Sequence, residues 1–126
     1  MTTIEELAAE RYVSVTTFRK NGTAVPTPVW AAWDGTGMVV WTQASSGKVR
    51  RIHADPRVVV AACDVRGRTR GEEADGLARE LSPEETERVR HLIVRKYGLL
   101  ARVLMATSRL RGGRGGTTGI RIVPGV

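Results

Sequence analysis

The spacing of apolar residues changes repeatedly along the chain, and each change predicts a new element. Ile4, Leu7 and Ala8 recur at helical intervals with Glu5 and Glu6 in the first turn, where the helix dipole favours acids, so a short helix is expected over Thr3 to Arg11. The period then shortens. Tyr12, Val13, Val15 and Phe18 lie in a β-branched, threonine-rich run ending at Lys20-Asn21-Gly22, where Asn-Gly suits the positive φ angles of a tight hairpin. The returning strand is Ala24 to Trp33, and because Pro26 and Pro28 each lack an N–H it must lie at an edge or carry a bulge. Asp34-Gly35-Thr36-Gly37 turns the chain into an apolar strand, Met38 to Thr42. Gln43 to Gly47 is a small polar loop, and Lys48 to Ala54 reads as a short helix stopped by Asp55-Pro56.

Arg57 to Asp64 resumes as a strand of valines and alanines, followed by the basic turn Arg66-Gly67-Arg68-Thr69-Arg70-Gly71. Glu72 to Leu81 is a weak strand because its apolar content is low. Ser82-Pro83-Glu84-Glu85 combines a capping serine, a first-turn proline and a glutamate placed for a reciprocal bond, predicting a helix to about Lys96. After Gly98, the residues Leu99, Leu100, Val103, Leu104 and Leu110 suit a second helical piece, Arg111 to Gly116 a glycine-rich loop, and Thr117 to Val123 a closing strand. Five or six strands without a βαβ rhythm predict an antiparallel barrel of the α+β class, mainly β with helices. At 126 residues the expectation is one domain, 1–126, with a helical insert at about 83–110.

Composition narrows the compartment and the partner. Cys63 is the single cysteine, and with no signal-peptide pattern or long apolar run the expected setting is the reducing cytoplasm, without a membrane partner. The net charge of +7 attracts anions but does not choose among nucleic acid, an acidic surface and a phosphorylated small molecule.

The local feature richest in chemistry is a strand, then Ser45-Ser46-Gly47-Lys48, then a short helix with Arg50 and Arg51. A helix start offers free N–H groups and a positive dipole end, so this is an anion site; the plain alternative is a capping serine on a solvated basic helix. It is not a Walker loop, since Val49 replaces the required Ser or Thr and Thr42 the first glycine. The proline-broken stretch Pro26-Thr27-Pro28-Val29-Trp30 leaves backbone groups free to meet a planar heterocycle, with Trp30 or Trp41 flanking it, although single tryptophans more often only pack. Cys63 reads as a small core residue, His53 and His91 as helix residues without a metal site, and Asp64 as a turn aspartate. Arg111 to Gly116 is too short and lacks the aromatics of an RNA-binding tract, so a nucleic-acid partner is not expected.

Taken together, Val15-Thr16-Thr17-Phe18-Arg19, Asn21-Gly22, Pro26 to Trp30, Val40-Trp41-Thr42, Ser46 to Ile52, Asp55-Pro56-Arg57-Val58 and Cys63-Asp64 resemble one family. It is the coenzyme F420-dependent branch of the split β-barrel flavoproteins related to pyridoxamine phosphate oxidase. The resemblance implies a six-stranded, FMN-binding-like split barrel, a homodimer with cofactor between subunits, and hydride transfer from reduced deazaflavin to a small organic acceptor. Carried onto this chain, it assigns Ser46, Lys48 and Arg51 to the phosphate segment, and Ser45 and Gly47 of the same helix start complete the expected cofactor-binding set. Thr27, Pro28, Val29 and Trp30 fall on the strand lining the ring, and Trp41 and Thr42 beside it. Arg66, Arg68 and Arg70 are available to the acidic tail of such a cofactor. No catalytic residue is implied, because the ring carries the chemistry and the protein orients it. FMN in the same site, or a non-catalytic cofactor- or nucleic-acid-binding module, are the alternative functions.

Overall fold

The computed structural model describes residues 2–103 and 116–125. Thr3 accepts the Glu6 N–H at 3.1 Å and starts α1 (Ile4–Ala8), which turns Ile4, Leu7 and Ala8 inward. The elements that follow are β1 (Val13–Phe18), β2 (Ala24–Val29), β3 (Ala31–Trp33), β4 (Met38–Gln43) and α2 (Gly47–Ala54). Then come β5 (Arg57–Cys63), β6 (Thr69–Glu80), α3 (Pro83–Tyr97) and β7 (Thr117–Pro124). All paired strands are antiparallel, in the order β2-β1-β5-β6-β7-β4-β3.

The sheet therefore has seven strands where six were expected. The extra one arises at Trp30, where the expected strand Ala24 to Trp33 breaks into β2 and β3. These two pieces, one residue apart in the chain, occupy opposite ends of the strand order. The sheet must curl until its edges nearly meet, and the peptide at Trp30, not a hydrogen-bonded ladder, spans the gap. Pro26 and Pro28 fit this placement: they face Thr16 and Ser14 of β1 on an edge strand, where absent N–H groups cost no ladder bond on the outer side.

Two further expectations needed revision. The β1–β2 turn is not a two-residue turn: Arg19 N–H still bonds Thr23 carbonyl at 2.9 Å, Gly22 alone takes positive φ (88°), and Asn21 accepts the Thr23 N–H at 3.0 Å. This is the three-residue form with glycine in the left-handed position. The weak strand at Glu72 is in fact twelve residues long and pairs on both sides. Its inward positions are the small residues Ala74, Gly76 and Ala78, and a Cβ at Gly76 would stand 2.6 Å from Ile122 Cγ2. Period two is present there, written in small residues because β7 lies so close.

One apolar cluster fills the barrel, with Val13, Val15, Val40, Val58, Val60, Ile120 and Ile122 from the sheet closed off by Val49 and Ile52 of α2 and by α1. A second lies under α3, joining Val89, Ile93 and Tyr97 to Val39 and Leu81. Ser82 caps α3 by the reciprocal bond to Glu85, and Gly98 (φ 74°) ends it. Helix resumes at 99–103. Leu104 to Leu110 of the expected helical piece and Arg111 to Gly115 of the expected loop lie outside the described residues. Among the described residues no helix is long and apolar enough to cross a membrane.

Candidate functional site

The site forms where the sheet edges approach. Trp30 stacks on Tyr97 with ring centroids 4.5 Å apart and planes 8° from parallel. The Tyr97 hydroxyl accepts the Ala31 N–H at 3.0 Å and reaches the Arg11 carbonyl at 2.7 Å. Beside it, Lys96 Nζ donates to the carbonyls of Ala8, Glu10 and Ala31 at 2.8, 2.6 and 2.7 Å. Burial lowers the Lys96 pKa and raises that of Tyr97. The end of α3 thus pins the bend at Trp30 through groups that satisfy exposed strand ends.

In front of this bend is a cleft of about 350 Å³ lined by Pro28, Val29, Trp30, Trp41, Thr42 and Lys48, with Tyr12, Gln43, Val65 and Ile93 completing the wall. Its walls are mainly apolar and aromatic, and its polar end is Lys48. That residue is only 6% exposed, donates to Thr42 Oγ1 at 3.1 Å, and has no carboxylate partner among the described residues. Burial, then the nearby Arg51 charge, hold its pKa below the ordinary lysine value. An ammonium taken out of water without an acid beside it is costly unless an anion arrives.

The start of α2 forms a second patch adjoining the cleft through Lys48. Ser46 caps the helix, its Oγ accepting the Val49 N–H at 3.4 Å, while its own N–H bonds the Gln43 carbonyl at 3.1 Å. Arg51 folds back over the first turn: its Nε donates to Thr17 Oγ1 at 2.6 Å, and a Cβ on Gly47 would meet Arg51 Nη1 at 2.6 Å. Glycine at 47 is what admits the guanidinium there. Burial, then Arg19 and Arg50, lower the Arg51 pKa, and among the described residues no acid offsets them. Like charges gathered in this way mark a place for an anion.

Of the residues assigned from sequence, Pro28, Val29, Trp30, Trp41, Thr42 and Lys48 share the cleft. Ser46, Gly47 and Arg51 share the adjoining patch. Thr27 pairs with Val15 in β2 and does not line the cleft, and Ser45 is an exposed turn residue. Tyr12, Gln43, Val65 and Ile93 carried no local signal, since only the strand order and the α3 packing bring them together. Asp64 accepts the backbone N–H groups of Arg66 and Arg68, both at 2.9 Å, and these bonds depress its pKa. It closes the basic turn, whose Val65 reaches the cleft and whose Arg70 pairs with Glu10. Cys63 is buried, which pushes its thiol pKa up. His53 pairs with Glu80 at 2.7 Å, and among the described residues no group of three or more His, Cys, Asp or Glu is arranged to hold a metal.

Comparison with known proteins gives this geometry a family. HutZ, described as the heme storage protein from Vibrio cholerae, superposes with a TM-score of 0.71 at 13% identity, over 98% of this chain and 88% of that one. A conserved hypothetical protein of Mycobacterium tuberculosis, Rv2991, gives 0.68 at 24% identity over 93% and 74% of the two chains. A structure described as an F420 reductase gives 0.67 at 21% over 100% and 96%. These likenesses establish the fold. A search of curated proteins finds no match. The pattern of the pyridoxamine 5'-phosphate oxidase family, however, runs through residues 3–117, and it is to this family that the chain belongs.

Proposed function

We propose that the chain is an F420H2-dependent reductase that passes a hydride from a reduced deazaflavin to a small organic acceptor. The observation that carries this reading is Lys48, buried without a carboxylate partner where an indole-lined cleft meets the cation-rich start of α2. A volume near 350 Å³ is small for a whole cofactor but suits a planar ring, leaving the phosphate-bearing side chain to run over Ser46, Gly47 and Arg51. The likeness to an F420 reductase over the full chain supports the deazaflavin, and the family supports a flavin-type ring in general.

When bound, the reduced ring supplies the hydride. The chain's residues supply the rest: Trp30 and Trp41 border the ring, Pro28 and Val29 present a proline-broken backbone to its edge, and Lys48 and Arg51 hold the phosphate. Arg66 and Arg68 stand on the turn beside Val65 for an acidic tail. In this reading the protein works as a cytoplasmic homodimer with cofactor between subunits. The heme named for HutZ is supported less, because among the described residues no His, Cys or Met lines the cleft and Tyr12 is its one side chain of a common axial-ligand type.

Titration with F420, FMN and hemin in parallel, followed by fluorescence or absorbance, tests the assignment. Saturable F420 binding tighter than that of FMN or hemin is expected. Tight FMN binding without F420 binding would replace the deazaflavin by a flavin. Lys48→Ala binding F420 as well as the parent would remove the phosphate assignment.

A further inference from the structure

Charge is very unevenly divided along the chain. Up to Glu87 there are eleven Lys and Arg against thirteen Asp and Glu; from Arg88 onward there are nine Lys and Arg and no acid, so the last third is strongly cationic while the rest is slightly acidic. Part of this segment forms a groove of about 600 Å³ along the end of α3 and residues 99–103, lined by Arg90, His91, Val94, Arg95, Leu99 and Arg102 around Gly98. Among the described residues no carboxylate lines it. Arg90 is engaged by Glu87 at 2.9 Å, whereas Arg95 and Arg102 have no carboxylate partner among the described residues. Beside these cations, Leu99 is 75% and Leu100 52% exposed.

We propose that this face docks the protein on the surface of an anionic lipid bilayer. Arginines on the end of α3 and at Arg102, next to the exposed leucines that follow Gly98, match an interfacial site, with leucines entering the acyl boundary and guanidinium groups remaining at headgroup phosphates. Nucleic acid shares the phosphate chemistry but leaves the leucines against water, and among the described residues the groove offers bases only the His91 ring, with no Trp, Tyr or Phe to stack on. The site is separate from the cleft: Ile93 lines the cleft, while Val94 and Arg95 line the groove, so α3 serves each with a different face. This partner goes beyond the sequence reading, which expects no membrane partner.

Co-sedimentation of the full chain with phosphatidylcholine vesicles, with and without roughly one third phosphatidylglycerol, tests the proposal. Binding is expected to be at least about tenfold stronger to the anionic vesicles, and to fall about tenfold in Arg95→Glu/Arg102→Glu. Leu99→Ser/Leu100→Ser is expected to weaken it several-fold with an unchanged circular dichroism spectrum; should that pair unfold the chain, the arginine pair alone decides. Equal binding to both vesicle types, binding to neither, or double variants that bind like the parent would overturn the proposal. A single-stranded oligothymidylate bound more tightly than the anionic vesicles would overturn it in favour of nucleic acid.

Discussion

Two charged regions of this molecule use buried or half-buried cations to opposite ends. Arg121 lies between two acids: its Nε donates to Asp34 at 2.7 Å and its Nη1 to Glu85 at 3.2 Å, and the Asp34 bond above all raises its pKa. Burial alone would raise Asp34, yet bonds from the Thr36 and Gly37 N–H groups and from Arg121 bring its carboxyl below the usual value. Every charge there has a partner. At the start of α2, Lys48 and Arg51 are buried or crowded with no acid beside them, and their pKa values move down. Compensated charge ties β3, β7 and α3 together; uncompensated charge is held ready by the fold for something absent from the chain.

The largest effect should come from the compensated region. Asp34→Ala removes the Arg121 pairing and the acceptor for two turn N–H groups, and should lower unfolding free energy by about 2–3 kcal/mol in urea titrations while changing cofactor affinity less than about twofold. Lys48→Met keeps length but not charge. It should weaken cofactor binding about tenfold to hundredfold in fluorescence titration, with stability of the free protein unchanged or slightly raised. If Lys48→Met destabilised the chain as much as Asp34→Ala, the contrast would collapse.

Acid and base distinguish the same pair more gently. The Asp34 pKa is lower folded than unfolded, so its stabilisation is complete above the ordinary value of 3.8 and drains away as pH falls through the folded value; thermal scans should show a loss confined to acid. Lys48 behaves inversely. Its folded pKa lies below 10.5, so the unfolded chain holds the proton to higher pH and stability rises as pH climbs between the two values. Because only the ammonium attracts an anion, cofactor affinity should decline over that same alkaline interval. The smallest effect is reserved for Gly47→Ala, which crowds Arg51 away from Thr17 and should cost only a few-fold in affinity, read by the same titration.

Much of this was legible in the sequence. Ser82 to Glu85 announced α3 because capping is a local matter, and Asp55-Pro56 stopped α2 for the same reason. The two prolines of β2 correctly demanded an edge. What escaped was whatever depended on strand neighbours. The break at Trp30 follows from sheet curvature, and the length of β6 from its fit against Ile122, where glycine and alanine replace the valines a pattern search expects. The cleft was half visible: residues contiguous with a motif, such as Trp41-Thr42 and Lys48, were found, whereas Tyr12 and Ile93 reach it from elements that meet only after folding. The family resemblance puts Arg51 in the phosphate segment, but its contact with Thr17 crosses from α2 to β1 and has no sequence signature.

The bend at Trp30 has a consequence for solubility. Exposed sheet edges invite other chains to add strands, and proteins blunt them with prolines, bulges or covering segments. Here a single stretch of chain supplies both borders of the sheet: β2 carries two prolines, and β3 is only three residues long. A foreign strand thus meets a border that lacks the donors of Pro26 and Pro28 at one side and almost no length at the other. The residue that shapes the cleft also lies at the centre of the molecule's protection against edge-to-edge aggregation.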